Sequence, residues 1–401
     1  MNELLQIFVP ALVALICTCW IYPYILKVAK TKHIVDNPNS RKLQRTPIPV
    51  LGGVTVIFGV STGVMSFNLF GNFYDMLPVF ASILIIMIIG LIDDIISLSS
   101  RLRLIIEVLL VLYLIYATGQ QINDFHGLWG VQFIPEYISI PLTVLACVGI
   151  INAINLIDGV DGYSSGYSIV SCILFGIMFY SLNNIRMVAL AAIVVASLIP
   201  FFLHNVFGKQ SKMFIGDAGT LSLGLIFSVF VVKILSSPLN TPPSNPNLGL
   251  IPFSLAVLCI PVFDTLRVMS TRILKGYSPF LPDKTHLHHL FIELGFSHIG
   301  TTSSIIGLNL LIVLCWYLAY KAGLSIDNQL YVVIVLGFCT TFVFYPFTKL
   351  QIRKKSAIYH ILVKVAERAH IQRKGLWLLL RKWADRTTCD EMQNIKTPSE
   401  K

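Results

Sequence analysis

Four stretches of this chain combine residue types that do chemistry with spacings that would bring them together. The first is NAINLIDGVDG at 152–162, set between two apolar runs. Asn152, Asn155 and Asp158 lie three apart and would share one helix face, and Asp161 follows three later. A hydrogen-bonding stripe between helices accounts for the two Asn but poorly for the two Asp, whose burial in an apolar setting is costly. The second is the adjacent pair Asp93-Asp94 in GLIDDIISL. Neighbouring carboxylates stay ionised together only near cations, which points to Mg²⁺ or a phosphate-bound Mg²⁺ rather than a pair left in water. The third, FIGDAGT at 214–220, sets Asp217 in a glycine turn. Amides there can face a phosphate while Asp217 reaches a metal; the plainer role is a helix cap. The fourth, PDKTHLHHL at 282–290, gathers Lys284, His286, His288 and His289, with Arg267, Arg272 and Lys275 upstream. No Cys or Glu nearby completes a zinc site, and Mg²⁺ disfavours imidazole, so this cluster suits an anion. Acids that hold a metal and bases that hold phosphates together fit an Mg²⁺–diphosphate site. There is no GxxxxGK[ST] loop.

These groups need elements to position them, and the composition says which kind. The 401-residue chain is 55% hydrophobic and only 12% charged, with a mean hydropathy of +0.75. That is the profile of a polytopic helical membrane protein. About eleven spans are expected, near 4–26, 50–70, 77–95, 102–118, 136–154, 163–181, 186–207, 217–236, 249–270, 300–320 and 329–348. The first is too long for a signal-peptide core and lacks a basic start, so it reads as retained. With the N-terminus outside, Lys27 to Arg45, Arg101/Arg103, Lys209/Lys212, Arg267 to Lys284 and everything from Lys349 fall inside, and outer loops hold almost no Lys or Arg. The net charge of +10 is thus a topology signal rather than a nucleic-acid footprint. All four polar clusters then lie on the cytoplasmic face. A transporter would instead carry polar residues across the whole bilayer, and the outer half here is bland. Seven of the eight Cys sit in apolar runs, so no disulfide framework is indicated. Residues 351–401 form a basic tail whose stretch from Ser356 to Arg386 alternates apolar and basic residues, as an interfacial helix on anionic lipid would.

At these residues the chain resembles the polyprenyl-phosphate N-acetylhexosamine-1-phosphate transferases. IDDI at 92–95, NAINLIDGVDG, FIGDAGT and HLHHL at 286–290 occur in that family's order, and RTPIPVLGG at 45–53 is similar to its basic-Thr-Pro-x-x-x-Gly-Gly segment. The resemblance covers about residues 1–350 and implies an all-α transferase domain with a cytoplasmic active-site cleft. It implies Mg²⁺, for which Mn²⁺ can stand in, as cofactor. The implied partners are a UDP-amino sugar, undecaprenyl phosphate and membrane lipid; a homodimer is left open and nucleic acid is not among them. By position, Asp217 matches the metal-ligand aspartate, helped by Asn155, and Asp93 and Asp94 match the catalytic pair that shares or neighbours the ion. Asn155, Asp158 and Asp161 match the lining of the nucleotide pocket, and His286, His288 and His289 the histidine loop, His286 being assigned to catalysis. Arg45, Arg267 and Lys284 join the substrate-binding set. His-Leu-His-His after Pro-Asp-Lys resembles the branch that transfers GlcNAc 1-phosphate, whose products start chains such as O-antigen, rather than the phospho-MurNAc-pentapeptide branch. Tyr163, where Leu is commoner, is a departure in the pocket lining. The implied localisation is the inner membrane, with the C-terminus cytoplasmic.

Overall fold

The computed structural model describes residues 3–36, 46–69, 74–236, 247–279, 284–369 and 375–394. In chain order the helices are α1 (Glu3–Thr31), α2 (Gly52–Phe67), α3 (Leu77–Ile96), α4 (Ser100–Thr118), α5 (Glu136–Leu156), α6 (Tyr163–Ser181), α7 (Ile185–Phe207) and α8 (Gly216–Ile234). There follow α9 (Leu250–Val257), α10 (Cys259–Leu274), α11 (Leu287–Glu293), α12 (His298–Lys321), α13 (Ile326–Phe338), α14 (Phe344–Lys354), α15 (Ala357–Arg368) and α16 (Leu376–Asn394). A π turn at Cys339–Val343 joins α13 to α14. The only strands among the described residues are the two-residue pair β1 (Val35–Asp36) and β2 (Ile48–Pro49), antiparallel, which the all-α expectation did not include.

Nine of the eleven expected spans each coincide with one helix, that near 249–270 is divided between α9 and α10, and that near 329–348 runs from α13 through the π turn into α14; the count of about eleven is not reproduced. Among the described residues eight helices are long and apolar enough to cross a membrane, or nine if α9 and α10, bent by 72°, make one broken span. Two of the expected spans fall short for different reasons. The α2 helix has 16 residues, about 24 Å at helical rise, short of a ~30 Å hydrocarbon core. The α4 helix carries Arg101, Arg103 and Glu107. The expected domain boundary at 350 falls within α14.

The bundle is organised around α8, the most enclosed of the candidate spans. It packs against α2, α3 and α5, and small residues let the backbones approach, the usual device where lipid removes the hydrophobic drive between helices. A Cβ on Gly53 would lie 2.2 Å from Gly219 N, and one on Gly90 2.5 Å from Ala218 N. Both contacts are at the first turns of α8, so they fix the level of Asp217. The preceding strand-like segment is pinned as well: Phe214 N donates to Pro49 O at 2.8 Å, Gly52 N to Phe214 O at 2.9 Å and Gly53 N to Ile215 O at 2.7 Å. The basic segment ending in Gly52-Gly53 is therefore stitched to the one ending in Asp217. At the far end of the bundle, Arg186 pairs with Asp75 and Trp129 N donates to Asp327.

Candidate active site

The first turns of α8 have no side-chain cap of their own. Their amides are orphan donors carrying the positive end of the helix dipole. Asp94, from the end of α3, supplies the missing acceptor: Oδ1 takes Asp217 N at 2.9 Å and Oδ2 takes Ala218 N at 3.1 Å. Gly216, at φ +68°, makes the turn that aims those amides. Asp94 was expected to share catalysis and metal binding with Asp93. In the structure both its oxygens hold the first turn of α8.

Asp93 points the other way on α3. Its Oδ1 accepts from Leu98 N at 2.6 Å, and its Oδ2 from Arg103 Nη1 at 2.9 Å. The same Nη1 is 3.7 Å from Asp217 Oδ2, and Arg103 Nε is 3.7 Å from Glu107. Glu107, fully buried, also accepts a hydrogen bond from Asn152. Asp217 Oδ1 accepts from Asn155 Nδ2 at 2.7 Å, and that amide also reaches Thr220 Oγ1 at 2.9 Å. Three carboxylates thus converge on one guanidinium, with both asparagines of the α5 stripe holding two of them.

The linker 157–162 closes this cluster. Ser164 Oγ donates to Asp158 at 2.9 Å. Protein surrounds Asp158 although solvent reaches it, and that crowding, ahead of the charges of Asp217 and Asp161, pushes its carboxyl up to about 7. Asp161 behaves oppositely. Burial alone would raise it, but His298 Nδ1 at 2.8 Å and Lys212 Nζ at 2.6 Å outweigh burial and hold it below the usual carboxylate range.

The histidine segment meets the linker from the other side. His288 lies against Gly159, where a Cβ would come 2.5 Å from its Nε2, and edge-on to Tyr163 at 6.0 Å. Burial, then the neighbouring imidazoles, push its pKa well below the ordinary value. His286 Nδ1 is 2.9 Å from Asp264 Oδ2. Arg267 is buried, donates to Asp264 Oδ1 at 2.7 Å and to Thr285 O at 2.5 Å, and lies 3.8 Å over the Tyr345 ring. Arg267, His286 and His288 were expected to face an anion. As arranged they brace the segment from behind, leaving exposed Lys284 and half-buried His289 as its more accessible members. Arg45 lies outside the described residues.

Nine of the eleven expected site residues that are described, from Asp93 to His288, are therefore linked through one end of the bundle. Sequence reasoning missed Arg103, Glu107, Lys212, Asp264 and His298 as partners. The signal was present for some: Arg103 and Glu107 stand i,i+4 in an apolar run, and Asp264 precedes Arg267 by three in another.

Residues 76–235, which hold Asp93, Asn155 and Asp217, match the family described as Glycosyl transferase family 4. The chain is 31% identical over 302 residues, 74% of its length and 80% of the relative's, to a probable undecaprenyl-phosphate N-acetylglucosaminyl 1-phosphate transferase of Bacillus subtilis. It is 30% identical over 277 residues, 68% of this chain and 73% of the other, to the undecaprenyl-phosphate alpha-N-acetylglucosaminyl 1-phosphate transferase of Yersinia pestis. To the protein of that name in Escherichia coli it is 29% identical over 279 residues, 68% and 72% of the two chains. A many-helix bundle with its carboxylates gathered at one end, and likeness at this level over this much of each relative, make one assignment: the chain belongs to glycosyl transferase family 4.

Proposed function

We propose that this protein transfers N-acetylglucosamine 1-phosphate from UDP-N-acetylglucosamine to undecaprenyl phosphate, with release of UMP. The observation that carries the reading is the convergence of Asp93, Asp217 and Asn155 at one end of a membrane bundle, next to the acidic linker. A lipid phosphate can reach that level while its tail stays in the bilayer. A lipid-phosphate oxygen attacks the sugar-bound phosphorus, the bond from that phosphorus to the bridging oxygen breaks, and UMP carries the bridging oxygen away.

Two anions must meet for this, so the site has to neutralise charge. Among the described residues no three His, Cys, Asp or Glu side chains form a ready-made metal cage. Mg²⁺ on a diphosphate needs none: one or two carboxylates, phosphate oxygens and waters complete it. Asp217, whose side chain is one-third exposed, and Asp93 supply oxygens only, which suits a hard cation; Asn155 orients Asp217. Mg²⁺ bound there would offset the diphosphate's charge as the leaving group departs. Arg103 lies between Asp93 and Asp217 and offsets their mutual repulsion, and Asp94 keeps Asp217 at its level. Asp158 and Asp161 line the approach of the nucleotide. The concentration of Lys and Arg in the loops at this end supports a reading in which it faces the cytoplasm from the inner membrane.

The test is UMP release by purified protein from a panel of UDP-sugars, including UDP-N-acetylglucosamine and UDP-MurNAc-pentapeptide, with and without undecaprenyl phosphate and with EDTA. Lipid- and Mg²⁺-dependent release from UDP-N-acetylglucosamine is expected. No release from any sugar, or solute flux without nucleotide, overturns the reading.

A further inference from the structure

The tail was expected to lie on lipid as one interfacial helix. Its described residues include the helices α15 and α16, and α16 docks on the ends of α1 and α7. Trp383 stacks on His204 (centroids 5.8 Å apart, 22° between planes), and Trp377 meets Phe207 edge-on at 4.7 Å. Asp385 Oδ1 accepts from Lys209 N at 3.0 Å, Gln210 N at 2.9 Å, Ser211 N at 3.1 Å and Ser211 Oγ at 3.2 Å. Three successive amides converging on one oxygen make an anion-binding concavity, and its occupant comes from 174 residues further along.

The gripped segment is the one that leads to Asp217. Tyr22 Oη donates to Ser211 O and Lys30 Nζ to Gln210 O, each at 2.7 Å, so it is held from α1 as well. The next residue, Lys212, is the one paired with Asp161. Between this segment and α16 opens a cavity of about 580 Å³, lined among others by Thr46, Asp161, Lys212, Trp377 and Arg381. The same helix that supplies Asp385 therefore supplies two of the cavity's side chains, one aromatic and one cationic.

We propose that α16 is a working wall of the nucleotide-sugar cleft, with Asp385 a positioning residue that holds 209–211 so that Lys212 stays on Asp161. Residues 76–235, matched to the family, do not include this helix. The inference rests on the cleft taking a UDP-sugar. Wild-type turnover tests that reading, and a comparison of variants in the full-length protein tests this one. Asp385→Ala should raise KM for UDP-N-acetylglucosamine about tenfold, with KM for undecaprenyl phosphate unchanged. Asp385→Asn keeps an acceptor for the three amides and should recover most of that loss. Arg381→Met removes the 3.9 Å approach of Arg381 Nε to Asp385 Oδ2 but leaves the amide contacts of Oδ1 in place, so it should fold, and should raise the same KM. The proposal is overturned if the wild type turns over and either Asp385→Ala or Arg381→Met leaves KM for the UDP-sugar unmoved, or if Asp385→Ala shifts both substrates equally as its Tm falls.

Discussion

Arg103 and Asp217 approach to 3.7 Å while the same guanidinium nitrogen holds Asp93 at 2.9 Å. One cation from α4 thus sets the spacing between carboxylates of α3 and α8, and it does so from a half-buried position where pairing is strong.

Replacing it separates its two duties. Arg103→Met removes the partner of buried Glu107, and breaking such a pair costs about 3–5 kcal/mol. Turnover should fall about 10²-fold or more. Adding Glu107→Gln relieves the unpaired charge, so the double variant should regain most of the Tm but not the turnover. Melting and UMP release on the four proteins of the cycle check this; turnover that returns with Tm would reduce Arg103 to a structural strut.

A general base is not needed at Asp93. The second pKa of a phosphate monoester lies near ~6, so the lipid nucleophile is largely dianionic at neutral pH. Asp93→Asn should lower the rate by the same factor from about pH 6.5 to 9. A pH–rate profile in which the deficit vanishes above about pH 8 restores the base role.

His288 gives the fold an acid weakness. Its pKa is held well below the ordinary value by burial, so the unfolded chain takes up this proton first. Stability is full above about 6.5 and erodes as pH falls below it, by up to ~1.4 kcal/mol per pH unit, until the folded-state value is reached. Thermal melts between about pH 7 and 5 should show the slope. His288→Gln should lower Tm at pH 7 but flatten the slope; an unchanged slope removes His288 as its source.

Gly90 tests how tightly α8 is seated. A methyl there falls 2.5 Å from Ala218 N, and overpacking of this kind costs about 1–3 kcal/mol. Gly90→Ala should lower both Tm and turnover, because the turn it displaces carries Asp217. Gly307, where a Cβ meets open space, provides the control: Gly307→Ala should leave both unchanged.

The polar clusters could be read from sequence because an apolar chain makes each Asp conspicuous, and their common face followed from Lys and Arg placement. What the clusters do individually could not be read so. Asp93 and Asp94 are neighbours in sequence, yet the turn of about 100° between them on α3 makes one an Arg103 partner and the other a cap for α8. Arg267, His286 and His288 looked like anion ligands by charge, and only their packing shows that Asp264 and Thr285 take up Arg267, that Asp264 takes up His286, and that His288 is buried against Gly159. The span count is not reproduced among the described residues because α2 is short and α4 carries internal charge, features that apolar content alone does not weigh. The tail's docking rests on Asp385 meeting three amides from far away in sequence, which no periodicity reveals.

The close backbone approach at Gly53 and Gly90 has a bearing on biogenesis. Both surfaces leave the ribosome before α8 does, so the first helices must insert with an open slot between them. The eighth helix fills that slot and brings Asp217 with it. A nascent chain stalled short of residue 217 already holds Asp93, Arg103 and Asn155 but lacks the carboxylate that Asn155 binds and Arg103 approaches.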